Sequence, residues 1–158
     1  IQFGANDFQE IVRPSLSSSN PYYDGMKHSI QRIRHAAPNA RITVVGYPAI
    51  SARNGAVCPL RTSAPGSSEA GFNMDYAGLV RTGEDHVNSA MYKAARANGV
   101  QYYDLRADSI DHGMCAPDST RWVSGKWEYS VPHNLFNHLT HLGNRNVAQL
   151  LNSKVLAH

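Results

Sequence analysis

Two groups of residues at opposite ends of the chain have side chains and spacing suited to chemistry. Near one end, Gly4-Ala5-Asn6-Asp7 follows the apolar Ile1 and Phe3, so a strand runs through a small-residue turn and then presents an amide beside a carboxylate. Glycine lets backbone bend sharply and approach a ligand, and an Asn amide just past a strand end can donate to a developing oxyanion. At the other end, His138 stands in HLTHLGN, a loop running into a helix. Gly, Asn and Asp together are also an ordinary turn composition, so the case rests on pairing Asn6 with His138.

Two cysteines, Cys58 and Cys115, each lie in a loop with a proline nearby. A CxxC pair is absent, and a metal site would call for more thiol or imidazole ligands at short spacing. A disulfide between the two is the expectation. It would close a loop of nearly sixty residues, stabilise by on the order of 4 kcal/mol in the chain-entropy model, and suit an oxidising compartment. His133, His138 and His141 suggest a metal site only superficially, because that stretch has no Cys, Asp or Glu to complete a ligand set. No metal and no cofactor are expected. His28, His35 and His86 fall on polar helix faces, while His112, close to Cys115, either lines a cleft or makes a loop hydrogen bond.

A chain of 158 residues suits one domain with a real core. The apolar fraction is 42% and the charged fraction 17%, which argues against disorder. The 15 basic and 12 acidic residues are dispersed, giving a net charge of +3 without the clustered Lys and Arg of a nucleic-acid footprint. No apolar run approaches the ~18 residues of a membrane span, and no leader pattern opens the chain. The chain starts inside a strand, with no cap or initiating Met, and reads as a processed or truncated portion of something longer.

The positioning elements follow from periodicity. Tyr23 to Ala37 places Met26, Ile30, Ile33 and Ala37 on one face of a helix. Arg41 to Tyr47 is a β-branched run that reads as a buried strand. Pro48 to Met74 shows no period and reads as a long loop. Asp75 can cap a helix from Tyr76 to about Asn98, with Val80, Val87, Ala90, Met91, Ala94 and Ala97 as its stripe and Gly99 past its end. Val100 to Leu105 reads as a strand, then comes a loop through Asn137 carrying Cys115, Trp122 and Trp127, then a helix from Thr140 to about Leu156. Alternating strands and helices imply a parallel sheet covered on both faces, with ligands beyond the carboxyl ends of its strands. Asn6, both long loops and His138 converge there.

These residues resemble a known family. Gly4-Ala5-Asn6-Asp7 resembles the GxND block of the SGNH (GDSL) serine hydrolases, and His138 to Asn144 looks like their last block, where the catalytic His precedes a Gly by five residues. Val45-Gly46-Tyr47-Pro48 resembles a strand end of the secreted bacterial esterases and lipases of that group, as do Cys58 and Cys115. The order and a spacing of about 130 residues between Asn6 and His138 also fit. The resemblance implies a flavodoxin-like three-layer α/β/α sandwich with a parallel sheet, formed by residues 1–158 as one domain that lacks its N-terminal strands. It implies carboxylic-ester hydrolysis by Ser-His chemistry, with Asn6 as oxyanion donor and His138 as the base that later protonates the leaving alcohol.

The chain departs from the family in two places. No GDS-like block occurs, so the nucleophile and an oxyanion Gly would come from an upstream segment or chain. Where the family has Asp three residues before the His, this sequence has Leu135. Either the Leu135 carbonyl accepts the imidazole N–H, or an Asn side chain, Asn134 or Asn137, does so. Trp122 and Trp127 suit an acyl-chain wall or the packing of a long loop. The expectation is the C-terminal portion of a secreted esterase or lipase acting on a small-molecule ester in lipid degradation, with neither nucleic acid nor transmembrane segment involved. The alternative is a non-catalytic SGNH-like module that binds a glycan or protein. A nucleotide-binding domain is disfavoured, since no Gly-rich phosphate loop opens a helix.

Overall fold

The computed structural model describes residues 21–62, 71–75, 77–128 and 135–157. Its elements in chain order are α1 (Pro21–Ala36), β1 (Thr43–Val45), β2 (Leu60–Arg61), α2 (Leu79–Ala97), β3 (Gln101–Tyr103), α3 (Leu105–Ser109), β4 (Trp127–Glu128) and α4 (His141–Leu151), which continues as a π-helical turn, Asn152–Leu156. Strands pair in parallel, β1 with β3 and β2 with β4. The fold is α/β, as expected. The strand anticipated over Ile1–Phe8 lies outside the described residues. The chain divides into two compact units, one running up to Tyr47 and including Thr82–Arg106, the other comprising Pro48–Arg81 and Ala107–His158.

In the first unit, the stripes of α1 and α2 meet the parallel pair. Met26 and Ile30 from α1, Val44 from β1, and Val87, Met91, Ala94 and Ala95 from α2 form one buried cluster, flanked by Tyr22, Tyr23, Tyr47, Val100 and Tyr102. The stripe expected on α1 is buried only over its first half, for Ile33 is 39% exposed. Helix α2 ends as expected, with Gly99 in the left-handed region and the Val100 amide donating to Ala95 O at 3.1 Å.

Polar groups are also built into this core. Asn88, buried on α2, accepts the Tyr47 amide at 2.8 Å and the Tyr102 hydroxyl at 3.2 Å through Oδ1, while its Nδ2 donates to Glu84 O. A Cβ on Gly46 would come within 2.7 Å of that same Oδ1. Val-Gly-Tyr-Pro therefore needs its glycine because a side chain and a strand end meet there.

In the second unit, Val57, Met114 and Val123 form a small buried cluster with Ile50, Val80 and Leu139 against it. Asp75 caps α2 as expected, its two carboxylate oxygens accepting the Leu79 and Val80 amides at 3.0 and 2.7 Å. The helix begins at Leu79, because Gly78 before it has φ +66°. The two stretches read as loops each contain a strand, β2 and β4, and the second also contains the short α3. Among the described residues no helix is long and apolar enough to cross a membrane.

Burial, then the charge of Asp104, pushes the Tyr102 hydroxyl up to about 12, with Arg106 opposing. An unfolded tyrosine loses its proton from 10.0 upward, so the folded state keeps a proton that the unfolded state releases. The stability this provides is whole below about pH 10 and is lost between about pH 10 and 12. Titration of phenolate absorbance should show a late-ionising tyrosine that Tyr102→Phe removes, whereas an unchanged curve would contradict the assignment.

Candidate active site

The loop that carries His138 is held by main-chain bonds and by one buried hydroxyl. The amide of buried Ser124 donates to His138 O at 2.9 Å, and its hydroxyl bonds the carbonyls of Leu135 and His138 and accepts the amide of His138. The His138 amide also donates to Leu135 O at 3.1 Å, and the Asn137 amide donates to Gly125 O at 3.2 Å. Val123 and Leu139 form an antiparallel bridge. Asn137 takes φ +58°, a conformation Asn tolerates better than most residues.

After the loop, Thr140 caps α4. Its hydroxyl accepts the Gly143 amide at 2.9 Å and donates to Arg121 O at 2.9 Å, while its own amide donates to Trp122 O at 2.8 Å. A Cβ on Gly143 would collide with the Trp122 backbone. The glycine five residues after His138 is thus required by close packing of the helix start on residues 121–122.

The imidazole Nδ1 of His138 lies 2.7 Å from the carbonyl oxygen of Phe136. A carbonyl only accepts, so Nδ1 carries the proton, and in the neutral ring Nε2 is left with a lone pair. The ring is exposed, so that lone pair is accessible. Of the expected partners, the Leu135 carbonyl and the Asn137 side chain do not take this bond, which goes to the Phe136 carbonyl. The Leu135 carbonyl is occupied instead by Ser124 and the His138 amide, and the left-handed turn at Asn137 brings the Phe136 carbonyl under the ring. Asn6, His133 and Asn134 lie outside the described residues.

Beneath the loop is a cluster of four charges for which the sequence offered no motif. Arg121 grips Glu128 with two bonds of 2.6 Å each and Asp118 with bonds of 2.7 and 3.2 Å, and Arg61 reaches Asp118 at 3.1 Å. All four side chains are nearly inaccessible. Glu128 also accepts the Gly125 amide at 2.8 Å, and Arg61 donates to the carbonyls of Met114 and Ala116. Burial lowers the Arg61 pKa, helped by the neighbouring Arg121 charge. Burial acts on Arg121 in the same sense, but the hydrogen bonds and charge of Glu128 and Asp118 outweigh it and raise its pKa. Cys58 and Cys115 are joined in a disulfide spanning 57 residues, tying the start of β2 to the segment that Arg61 grips.

The remaining histidines and tryptophans singled out in the sequence take other places. His112 stacks on the buried Trp122 at 4.2 Å, with Nδ1 2.7 Å from Thr120 O, so a loop hydrogen bond is present. Trp122 is packing, whereas Trp127 is partly exposed. His141 is exposed on the first turn of α4. Asp111 pairs with Arg53 at 2.7 Å, and that hydrogen bond holds its carboxyl below the ordinary value. Among the described residues no group of three His, Cys, Asp or Glu could hold a metal ion.

Part of the chain is similar in sequence to a lipase, and its fold is similar to that of a phospholipase. The chain is 30% identical over 102 residues to Lipase 2 of Streptomyces coelicolor, covering 64% of this chain and 32% of that protein. Its fold matches the crystal structure of phospholipase A1 from Streptomyces albidoflavus NA297 with a TM-score of 0.61 at 22% identity, covering 98% of this chain and 60% of that one. The chain thus spans about a third of the one and three fifths of the other. No family model matches it.

Ser124→Ala removes the hydroxyl that gathers the loop and leaves buried main-chain groups unsatisfied. It should cost about 1–3 kcal/mol in denaturant unfolding, and an unchanged midpoint would show that the hydroxyl does not hold the loop. Glu128→Gln leaves two buried guanidinium groups against one carboxylate and should cost about 3–5 kcal/mol in the same assay. A loss under about 1 kcal/mol would contradict the reading of the cluster as the scaffold of this unit.

Proposed function

We propose that the chain is the C-terminal portion of a secreted SGNH-type serine esterase or lipase that hydrolyses carboxylic esters. The observation that carries this reading is the His138 imidazole, oriented through Nδ1 by the Phe136 carbonyl so that Nε2 is an accessible base. In the proposed reaction Nε2 takes the proton of a serine hydroxyl as that oxygen attacks the ester carbonyl. It returns the proton to the leaving alkoxide as the tetrahedral intermediate collapses, and water then repeats the cycle on the acyl-enzyme. Asn6 donates its side-chain amide to the oxyanion. The serine and a glycine amide come from an upstream segment of the same precursor.

A carbonyl dipole in place of a carboxylate stabilises the imidazolium less, because it supplies a partial charge rather than a full one. The neutral, correctly protonated ring is still provided, which is what the first proton transfer requires. The likeness to a lipase and a phospholipase supports ester chemistry, and the disulfide supports an oxidising, extracellular setting.

His138→Ala should abolish ester hydrolysis by the precursor that includes the serine segment, with a loss of about 10⁴-fold or more and an unchanged melting curve. Fluorophosphonate labelling of that precursor should fall in parallel. Retained turnover in the variant would sink the assignment, and a wild-type precursor that neither labels nor turns over ester would make the chain a binding module.

A further inference from the structure

Strands β2 and β4 are turned inside out. Leu60 is in register with Trp127 on one side and bridges to Phe72 on the other, and the next residues, Arg61 and Glu128, are in register with each other. Residues paired across strands share a face, and successive residues alternate. Arg61 and Glu128 are 1% and 3% exposed, whereas Phe72 is 68% and Trp127 42% exposed. The charges face inward, and an apolar row of Phe72, Leu60 and Trp127 faces out. Strand pairing alone does not require this, since threonine would serve the outer face of a small sheet as well.

The row is bordered by a cation. The exposed Lys126 ammonium lies 4.9 Å over the Trp127 ring. Gly125, two residues before Trp127, accepts the Asn137 amide, and the turn it holds presents Leu135 and Phe136, 69% and 54% exposed.

We propose that this face is a docking surface for lipid aggregates carrying anionic headgroups. An indole combines an apolar body with one N–H and settles at the boundary between hydrocarbon and headgroup, with phenyl and aliphatic side chains beside it in the apolar layer. A lysine next to it lays its stem along the apolar surface and puts its charge among phosphates. The surface stands independently of the role given to His138.

The test is a titration of the chain with vesicles of phosphatidylcholine containing about a third phosphatidylglycerol, read by tryptophan emission and by flotation. Trp122 is buried against His112, so a shift in emission on binding reports Trp127. Emission should move to shorter wavelength, and the chain should float with the vesicles. Phe72→Ser should weaken partitioning about fivefold to tenfold. Lys126→Glu should weaken it about fivefold or more on the anionic vesicles and leave phosphatidylcholine alone unaffected. Absence of both shift and flotation in the wild type would overturn the proposal, as would Phe72→Ser floating like the wild type. Lipid-free dimers that Phe72→Ser dissociates would identify the face as a self-contact instead.

Discussion

The second unit is organised around a desolvated ion pair, Arg121 with Glu128, gripped by two bonds of 2.6 Å. Taking charges out of water is costly, and the pair is tolerable only because every charge has a counterpart and further bonds. Asp118 balances Arg61, and the Gly125 amide and several carbonyls take up part of the remaining donor and acceptor capacity. The main chain around these side chains is the framework of the candidate site. Gly125 holds the Asn137 amide, and the Arg121 and Trp122 carbonyls hold Thr140. A hydrophobic replacement of similar volume could fill the space, but it could not supply the acceptor that Glu128 offers to Gly125.

From this scaffold the loop of His138 derives its one chemical property, a ring with a defined tautomer. Ser124 gathers the carbonyls of Leu135 and His138, the turn at Asn137 reverses the chain, and the Phe136 carbonyl meets Nδ1. A carboxylate would also orient the ring and would add a full charge. The main chain orients it without a charged partner.

How much of this was legible in the sequence varies with the physics involved. Helices α1, α2 and α4 show a 3.6-residue stripe, and Asp75, Gly99 and Thr140 mark their ends through local side-chain chemistry, so they could be located closely. Strands β2 and β4 are two residues long and point Arg61 and Glu128 inward, which removes both alternation and apolar burial as signals. The charge cluster was missed because no local pattern marks Asp118, Arg121 and Glu128 as buried, and Arg61 joins them from a distant part of the chain. Leu135 was a reasonable expectation from family spacing, but a single residue in the left-handed region, Asn137, moves the acceptor to Phe136. Ile33 fits the helical period yet is exposed, because periodicity identifies a face and says nothing about what covers it.

The central claim is that main chain alone sets the protonation pattern of His138, and the tautomer of that ring is its most direct measure. Nitrogen NMR of the ¹⁵N-histidine-labelled chain, with the resonances assigned by comparison with His138→Gln, reads it without reference to activity. The account predicts a protonated Nδ1 and a lone-pair Nε2 for His138 in the neutral ring. An Nε2–H tautomer, or shifts averaged over both, would contradict it.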